Sequence, residues 1–177
     1  MTRPGPSRQE RTHTVARTRW STLFSSRRQD WATPQHLYDE LTEEFRFTLD
    51  PCATRDNAKC ERYFTPDDDG LSQDWAKHRV WCNPPYNELY ARLRKGDESS
   101  RRGALVVFLI PARTDTRAWH EHVMHASEIR FIQGRLTFAG ATNTAPFPSA
   151  IVIFRPPNVR PVQLSLFDNS TGAEEVR

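Results

Sequence analysis

Val80-Trp81-Cys82-Asn83-Pro84-Pro85-Tyr86 is the stretch on which the reading of this chain turns. It begins as a buried strand, because Val80 and Trp81 follow the polar run Lys77-His78-Arg79. It ends at two prolines, which cannot donate to a ladder and which fix their own φ angles. Asn83 therefore stands where a strand leaves a sheet, on a stiff extended turn that also presents the Pro84 carbonyl and the Tyr86 ring. An amide, a constrained carbonyl and an aromatic face together are suited to gripping an amino group attached to a flat ring or an amide.

The exocyclic nitrogen of adenine is a poor nucleophile because its lone pair is delocalised into the ring. The Asn83 side-chain oxygen and the Pro84 carbonyl can each accept one of its two N–H bonds. Holding both hydrogens favours a pyramidal nitrogen whose lone pair faces an incoming methyl group. Tyr86 would stack on the base and keep it in line. Such catalysis works by position and by dipoles matched to the transition state, with no strong general base.

Working outward, Asp50-Pro51 closes a segment, Phe45 to Asp50, in which Phe47 and Leu49 alternate as in a strand. Asp50 thus falls just past a strand's carboxyl end, where open α/β sheets meet cofactors. Before it, Thr33 is expected to cap a helix opened by Pro34 and carrying Leu37, Tyr38, Leu41 and Phe45 on one side. The N–H groups of that helix start suit a ligand carboxylate. Arg62-Tyr63-Phe64-Thr65 reads as a short second strand and Pro66 to Gly70 as a solvated turn. Asp74 is a second expected cofactor contact, toward an adenine amino group.

After the motif, Glu88 to Lys95 reads as an exposed helix, and Arg92, Arg94, Lys95, Arg101 and Arg102 as a basic cluster. Gly103 to Ile110 is the most apolar run and predicts a strand buried on both faces of a parallel sheet. Asp115 to His125 predicts a helix with Trp119 and Val123 inward. Ile129 to Ile132 and Ser149 to Phe154 are two further strands. They flank a loop, Gly134 to Pro148, tipped by Phe147, for which DNA contact is expected alongside the arginines. Strands alternating with helices make this an α/β domain of three layers with a mostly parallel central sheet.

The full chain has 177 residues, formal net charge +3 and pI near 9.0. That length supports one domain with a real core, and that charge permits a nucleic-acid partner. Neither a membrane-span run nor a signal-peptide core is evident. Three cysteines without metal-type spacing favour reduced thiols in a cytoplasm. His120, His122 and His125 read as solvated surface residues, so no metal site is expected. The expected division is a basic arm over 1–29, a catalytic domain over 30–155 and a polar tail over 156–177. The arm holds seven arginines and one acid, Glu10.

Laid out in order, these segments resemble the phage-type DNA N6-adenine methyltransferases, the small Dam-like family of phages and prophages. The likeness covers roughly residues 24 to 155. It rests on Trp31-x-Thr33-Pro34, Phe47-x-Leu49-Asp50, Asn57-Ala58-Lys59-Cys60-x-x-Tyr63-Phe64-Thr65, Gly70-Leu71 and Trp81 to Tyr86. It continues through Pro111-Ala112-Arg113-Thr114-Asp115-Thr116, Gly134-Arg135-Leu136 and Pro146-Phe147-Pro148-Ser149-Ala150.

The resemblance implies a Rossmann-like fold, S-adenosylmethionine as methyl donor and a flipped adenine in double-stranded DNA as acceptor. It implies catalytic roles for Asn83, Pro84, Pro85 and Tyr86. Trp31, Thr33 and Pro34 would line the methionine end of the cofactor, while Asp50, Pro51 and Cys52 stand where a glycine-rich cofactor loop would be. That loop holds no glycine here, a departure from the usual pattern. DNA contact is expected at Arg92, Arg94, Arg101, Arg113 and Phe147. The enzyme would work in the cytoplasm of a bacterial host. The same tetrapeptide also suits RNA or a protein glutamine as acceptor, and an inactive DNA-binding accessory protein would keep the fold without the chemistry.

The tail carries Gln163-Leu164-Ser165-Leu166-Phe167. This pentapeptide resembles the peptides by which bacterial replication proteins dock on the sliding clamp. Leu164, Leu166 and Phe167 would fill apolar pockets and Gln163 would anchor by hydrogen bonds. A docked last strand is the alternative reading of the same residues.

Overall fold

The computed structural model describes residues 32–157. Trp31, the basic arm and the Gln163–Phe167 peptide lie outside the described residues. Four named strands form one sheet: β1 (Arg79–Cys82), β2 (Leu105–Pro111), β3 (Glu128–Phe131) and β4 (Ser149–Phe154). Their order is β1-β2-β4-β3. β1 runs parallel to β2, while β4 is antiparallel to both β2 and β3. The named sheet is therefore mixed, with one parallel pair where a mostly parallel sheet was expected.

The parallel side continues beyond β1 in a reduced form. Leu49 bridges Val80 in parallel and Asp50 bridges Tyr63 in parallel. Trp81 N–H donates to the Leu49 carbonyl at 2.9 Å, and Phe64 N–H to the Asp50 carbonyl at 2.9 Å. The two strands expected over Phe45–Asp50 and Arg62–Thr65 shrink to these bridges. Arg46 adopts a left-handed φ of 50° directly after the preceding helix, and pairing to the sheet starts at Thr48, whose N–H donates to the Arg79 carbonyl at 2.7 Å.

Among the described residues three helices cover the sheet: α1 (Gln35–Phe45), α2 (Leu89–Arg101) and α3 (Arg117–Glu121). Alternate residues of β2 feed two cores, as a strand buried on both faces must. Leu105, Val107 and Leu109 join Tyr38, Leu41 and Phe45 of α1 and Trp81 of β1. Val106, Phe108 and Ile110 join Leu93 of α2 and Trp119 of α3, with Val80 and Cys82. The layers are thus helix, sheet and helix.

The helix expected to be exposed over Glu88–Lys95 is a packing helix. α2 buries Arg92, Leu93, Gly96, Ser99 and Ser100, a stripe at helical spacing. A Cβ on Gly96 would lie 2.4 Å from the Phe108 ring, so glycine sets how closely α2 approaches β2. Two small serines and an inward arginine made that face read as polar. The helix expected over Asp115–His125 divides into α3 and a 3₁₀ turn, Val123–His125, with Trp119 and Val123 buried as expected. His122 at the division is buried and packs its ring 5.0 Å from Tyr90, a correction to its reading as a solvated residue.

Candidate active site

A cavity of about 300 Å³ opens where β1 leaves the sheet. That is the lower end of the range for small-molecule sites, roughly 300–1,000 Å³. Its wall includes Thr33, Asp50, Pro51, Cys52, Asn83 and Pro85. Residues expected at the site from three separate segments are thereby brought together. Sequence reasoning gave no pocket role to Lys59, Asp69, Trp81 or Glu88, which also line it.

Asn83 enters the wall as β1 meets its prolines. Its amide nitrogen donates to Thr33 Oγ1 at 3.1 Å across 50 residues of chain. Thr33 is thus not the helix cap that its position predicts. Pro34 occupies the N-cap position, at φ −58° and ψ 133°, and the Thr33 hydroxyl turns to Asn83 instead. One amide hydrogen spent on Thr33 orients the Asn83 side chain and defines its oxygen as the acceptor end.

Asp50 is 4 % exposed and both of its carboxylate oxygens hold the loop that follows. Oδ1 accepts the Cys52 N–H at 3.2 Å and Oδ2 the Lys59 N–H at 3.1 Å. Burial pushes its carboxyl up to about 6, against the opposing pull of those two amide bonds. Cys52 and Cys82 are free thiols with sulfurs 3.3 Å apart, joining this loop to β1.

The glycine missing from the loop is found beneath it. A Cβ on Gly70 would sit 2.2 Å from the Pro51 carbonyl oxygen, a rigid backbone atom. Gly70 also accepts the Trp75 indole N–H at 2.8 Å, which buries Trp75 completely. Close backbone approach, the usual reason for glycine in such a loop, is met by a residue about twenty positions on.

Tyr86 meets Phe147 edge-on, with centroids 5.3 Å apart and planes at 83°. The Arg113 guanidinium lies over the other partner, 5.9 Å from the Phe147 centroid. Burial pushes the Tyr86 phenol above its ordinary value, with Arg113 pulling the other way. Phe147 is buried beside Phe138, so it supports Tyr86 from the core and does not stand exposed to meet DNA.

Two other expectations change, at Arg92 and at Asp74. Arg92 is turned inward to the cavity wall and is absent from the exposed basic surface. Arg94 and Arg101 are exposed, each held by an acid one helical turn away, Glu98 and Asp97. Asp74 does not line the cavity. It pairs with Arg102 at 3.1 Å on the surface, because its side chain caps the turn at Ala76. Asp69, in a left-handed conformation at φ 46° after the 3₁₀ turn Pro66–Asp68, lines the cavity instead.

A sequence model of the family described as DNA N-6-adenine-methyltransferase (Dam) matches residues 20–170. The chain is 32% identical over 135 residues to the DNA N-6-adenine-methyltransferase of Haemophilus phage HP1, covering 71% of this chain and 78% of that protein. It is 30% identical over 109 residues to the DNA N-6-adenine-methyltransferase of Escherichia phage T1. That second match covers 60% of this chain and spans about half of its relative, 46%.

Proposed function

The chain belongs to the DNA N-6-adenine-methyltransferase (Dam) family, and from that premise we propose that its cavity holds S-adenosylmethionine and presents the methyl group to an adenine gripped by Asn83. The observation that carries this reading is the Thr33–Asn83 hydrogen bond at 3.1 Å, which ties the motif to the cavity wall. S-adenosylmethionine supplies an electrophilic methyl on a sulfonium. The residues present fit such a ligand: Trp81, Phe64 and Leu71 offer apolar surface for a base, while Asp50, Lys59 and Asp69 offer charged ends.

The chain methylates the N6 amine of adenine in DNA. In the proposed mechanism the Asn83 oxygen and the Pro84 carbonyl accept the two amine hydrogens and orient the nitrogen lone pair. Tyr86, braced by Phe147, stacks on the base and holds it in line. The base must leave the helix to reach that edge. Arg113, exposed beside Phe147, is the arginine best placed for the phosphate backbone near a flipped base, with Arg94 and Arg101 further candidates. The bridges at Leu49–Val80 and Asp50–Tyr63 extend the parallel side of the sheet, which favours a Rossmann-like sheet with shortened outer strands.

The basic arm over 1–29 would add salt-dependent affinity for duplex DNA. Among the described residues no helix is long and apolar enough to cross a membrane. Methyl transfer to duplex DNA of random sequence, read out by mapping N6-methyladenine, tests the reading. Absence of N6-methyladenine in every sequence context, with cofactor bound, would refute it.

A further inference from the structure

Arg92, buried, and Glu88, half-exposed, form an ion pair that none of the preceding chemistry uses. The Arg92 side chain is 9% exposed. Its Nε and Nη2 both donate to Glu88 Oε2, at 3.0 and 2.8 Å. Its Nη1 donates to the Pro51 carbonyl at 3.2 Å. Pro51 belongs to the loop held by Asp50, and Glu88 ends the 3₁₀ turn Tyr86–Glu88 that follows the motif. One guanidinium therefore joins the donor side of the cavity to the acceptor side. Its planar fork suits three bonds in two directions, which a lysine ammonium would not hold in one plane. Gly70 closes the rear, since a Cβ there would lie 2.9 Å from Arg92 Nη1.

The pair also sets the charge of the wall. Arg92 and Glu88 both line the cavity. A guanidinium on the cavity wall without its counter-ion would repel a cationic ligand. The methyl donor of the proposed reaction carries a sulfonium, whereas its demethylated product carries a neutral thioether. A charge change at Glu88 therefore acts on donor and product unequally, and a loss of packing acts on both alike. Lys59, the other cation among the described residues of the wall, donates from Nζ to Gln35 Oε1 at 2.6 Å and lies 5.7 Å from the Tyr38 centroid.

We propose that Arg92 is a positioning residue that fastens the Pro51 loop to the turn after the motif, and that Glu88, by cancelling its charge, makes the cavity prefer the sulfonium donor over the thioether product. This rests on the reading that the cavity holds S-adenosylmethionine.

The test is calorimetric binding of S-adenosylmethionine and S-adenosylhomocysteine to the full chain. Glu88→Gln keeps the shape and an acceptor for Arg92 but removes the charge. It should lose about tenfold in affinity for the methionine form and less than about twofold for the homocysteine form. In the double variant Glu88→Gln, Arg92→Met the affinity ratio should return to within about twofold of the wild type. Equal losses for both ligands in Glu88→Gln, or a ratio that stays shifted in the double variant, would overturn the inference while the wild-type binding still stands. Wild-type protein that binds neither ligand would overturn the functional reading and the inference together.

Discussion

Phe147 packs perpendicular to the Tyr86 ring at a centroid distance of 5.3 Å, so the aromatic ring of the motif is held by a residue of a distant loop. Tyr86 can serve as a stacking platform only if its ring keeps one orientation. Tyr86→Phe should retain most activity, and Tyr86→Ala should lose most of it, since stacking is worth roughly 1–3 kcal/mol per base. Phe147→Ala should lower the methylation rate while cofactor affinity holds. Initial rates on one duplex decide the matter, and equal inactivity of both Tyr86 variants would transfer the role to the hydroxyl.

Asn83→Ala should remove about two to three powers of ten in rate and leave cofactor binding nearly intact. The structure adds a second variant. Thr33→Val deletes the hydroxyl that accepts from Asn83 Nδ2 at 3.1 Å and keeps the shape of a side chain only 3% exposed. Its rate should fall by about tenfold, smaller than the loss at Asn83, because the amide is still present but less well oriented. A Thr33→Val enzyme with wild-type turnover would mean that the hydrogen bond has no part in positioning.

Gly70→Ala places a methyl 2.2 Å from the Pro51 carbonyl oxygen. The loop would have to shift, at a cost of about 1–3 kcal/mol of the kind seen on overpacking. Urea unfolding should show that loss, and calorimetry should show weaker cofactor binding. Unchanged affinity would dissociate the Pro51 loop from the ligand.

Asp50 predicts a dependence on pH. Its carboxyl is raised from 3.8 to about 6 in the folded protein. A raised pKa means that the group's contribution is fully favourable below the unfolded value and is lost as pH rises through the folded one. At about 1.36 kcal/mol per pKa unit the loss is about 3 kcal/mol. Relative to Asp50→Asn, which does not titrate, the wild type should therefore gain stability as pH falls from about 7 to about 4. Denaturant midpoints of the two proteins across that window measure it, and a constant difference would show that Asp50 is not titrating there.

The Gln163–Phe167 peptide lies outside the described residues, and its docking on a sliding clamp stands as a proposal. Pull-down with host clamp should retain the intact chain and lose a chain truncated after Val159. Equal retention of both, or of neither, removes that role from the tail.

The residues that identify chemistry were legible because each acts through its own type. Asn83 to Tyr86 announce a stiff turn with an amide and a ring, and Leu105 to Ile110 announce a strand with two covered faces. Periodicity also found Tyr38, Leu41 and Phe45 on α1, since apolar residues at helical spacing need only one core to face. Arg92, Gly96, Ser99 and Ser100 gave the opposite signal on α2, because a polar or small residue turns inward only when a partner waits there. The Pro51 carbonyl and the Phe108 ring are those partners, and both come from other segments.

Tertiary structure alone decided which distant groups meet. Thr33 reads as a cap from its neighbours but serves Asn83, and Gly70 supplies clearance for a loop that contains no glycine. Asp74 and Asp69 are indistinguishable as acids in a turn, yet only Asp69 reaches the cavity. Alternation at Phe47 and Leu49 predicted a longer strand than the bridges at Leu49 and Asp50, because Arg46 leaves α1 in a left-handed conformation that the pattern does not register. Local propensity and pattern are properties of a segment. The distance between two side chains of different segments is set by how the sheet and helices pack, and that information enters only when the chain has folded.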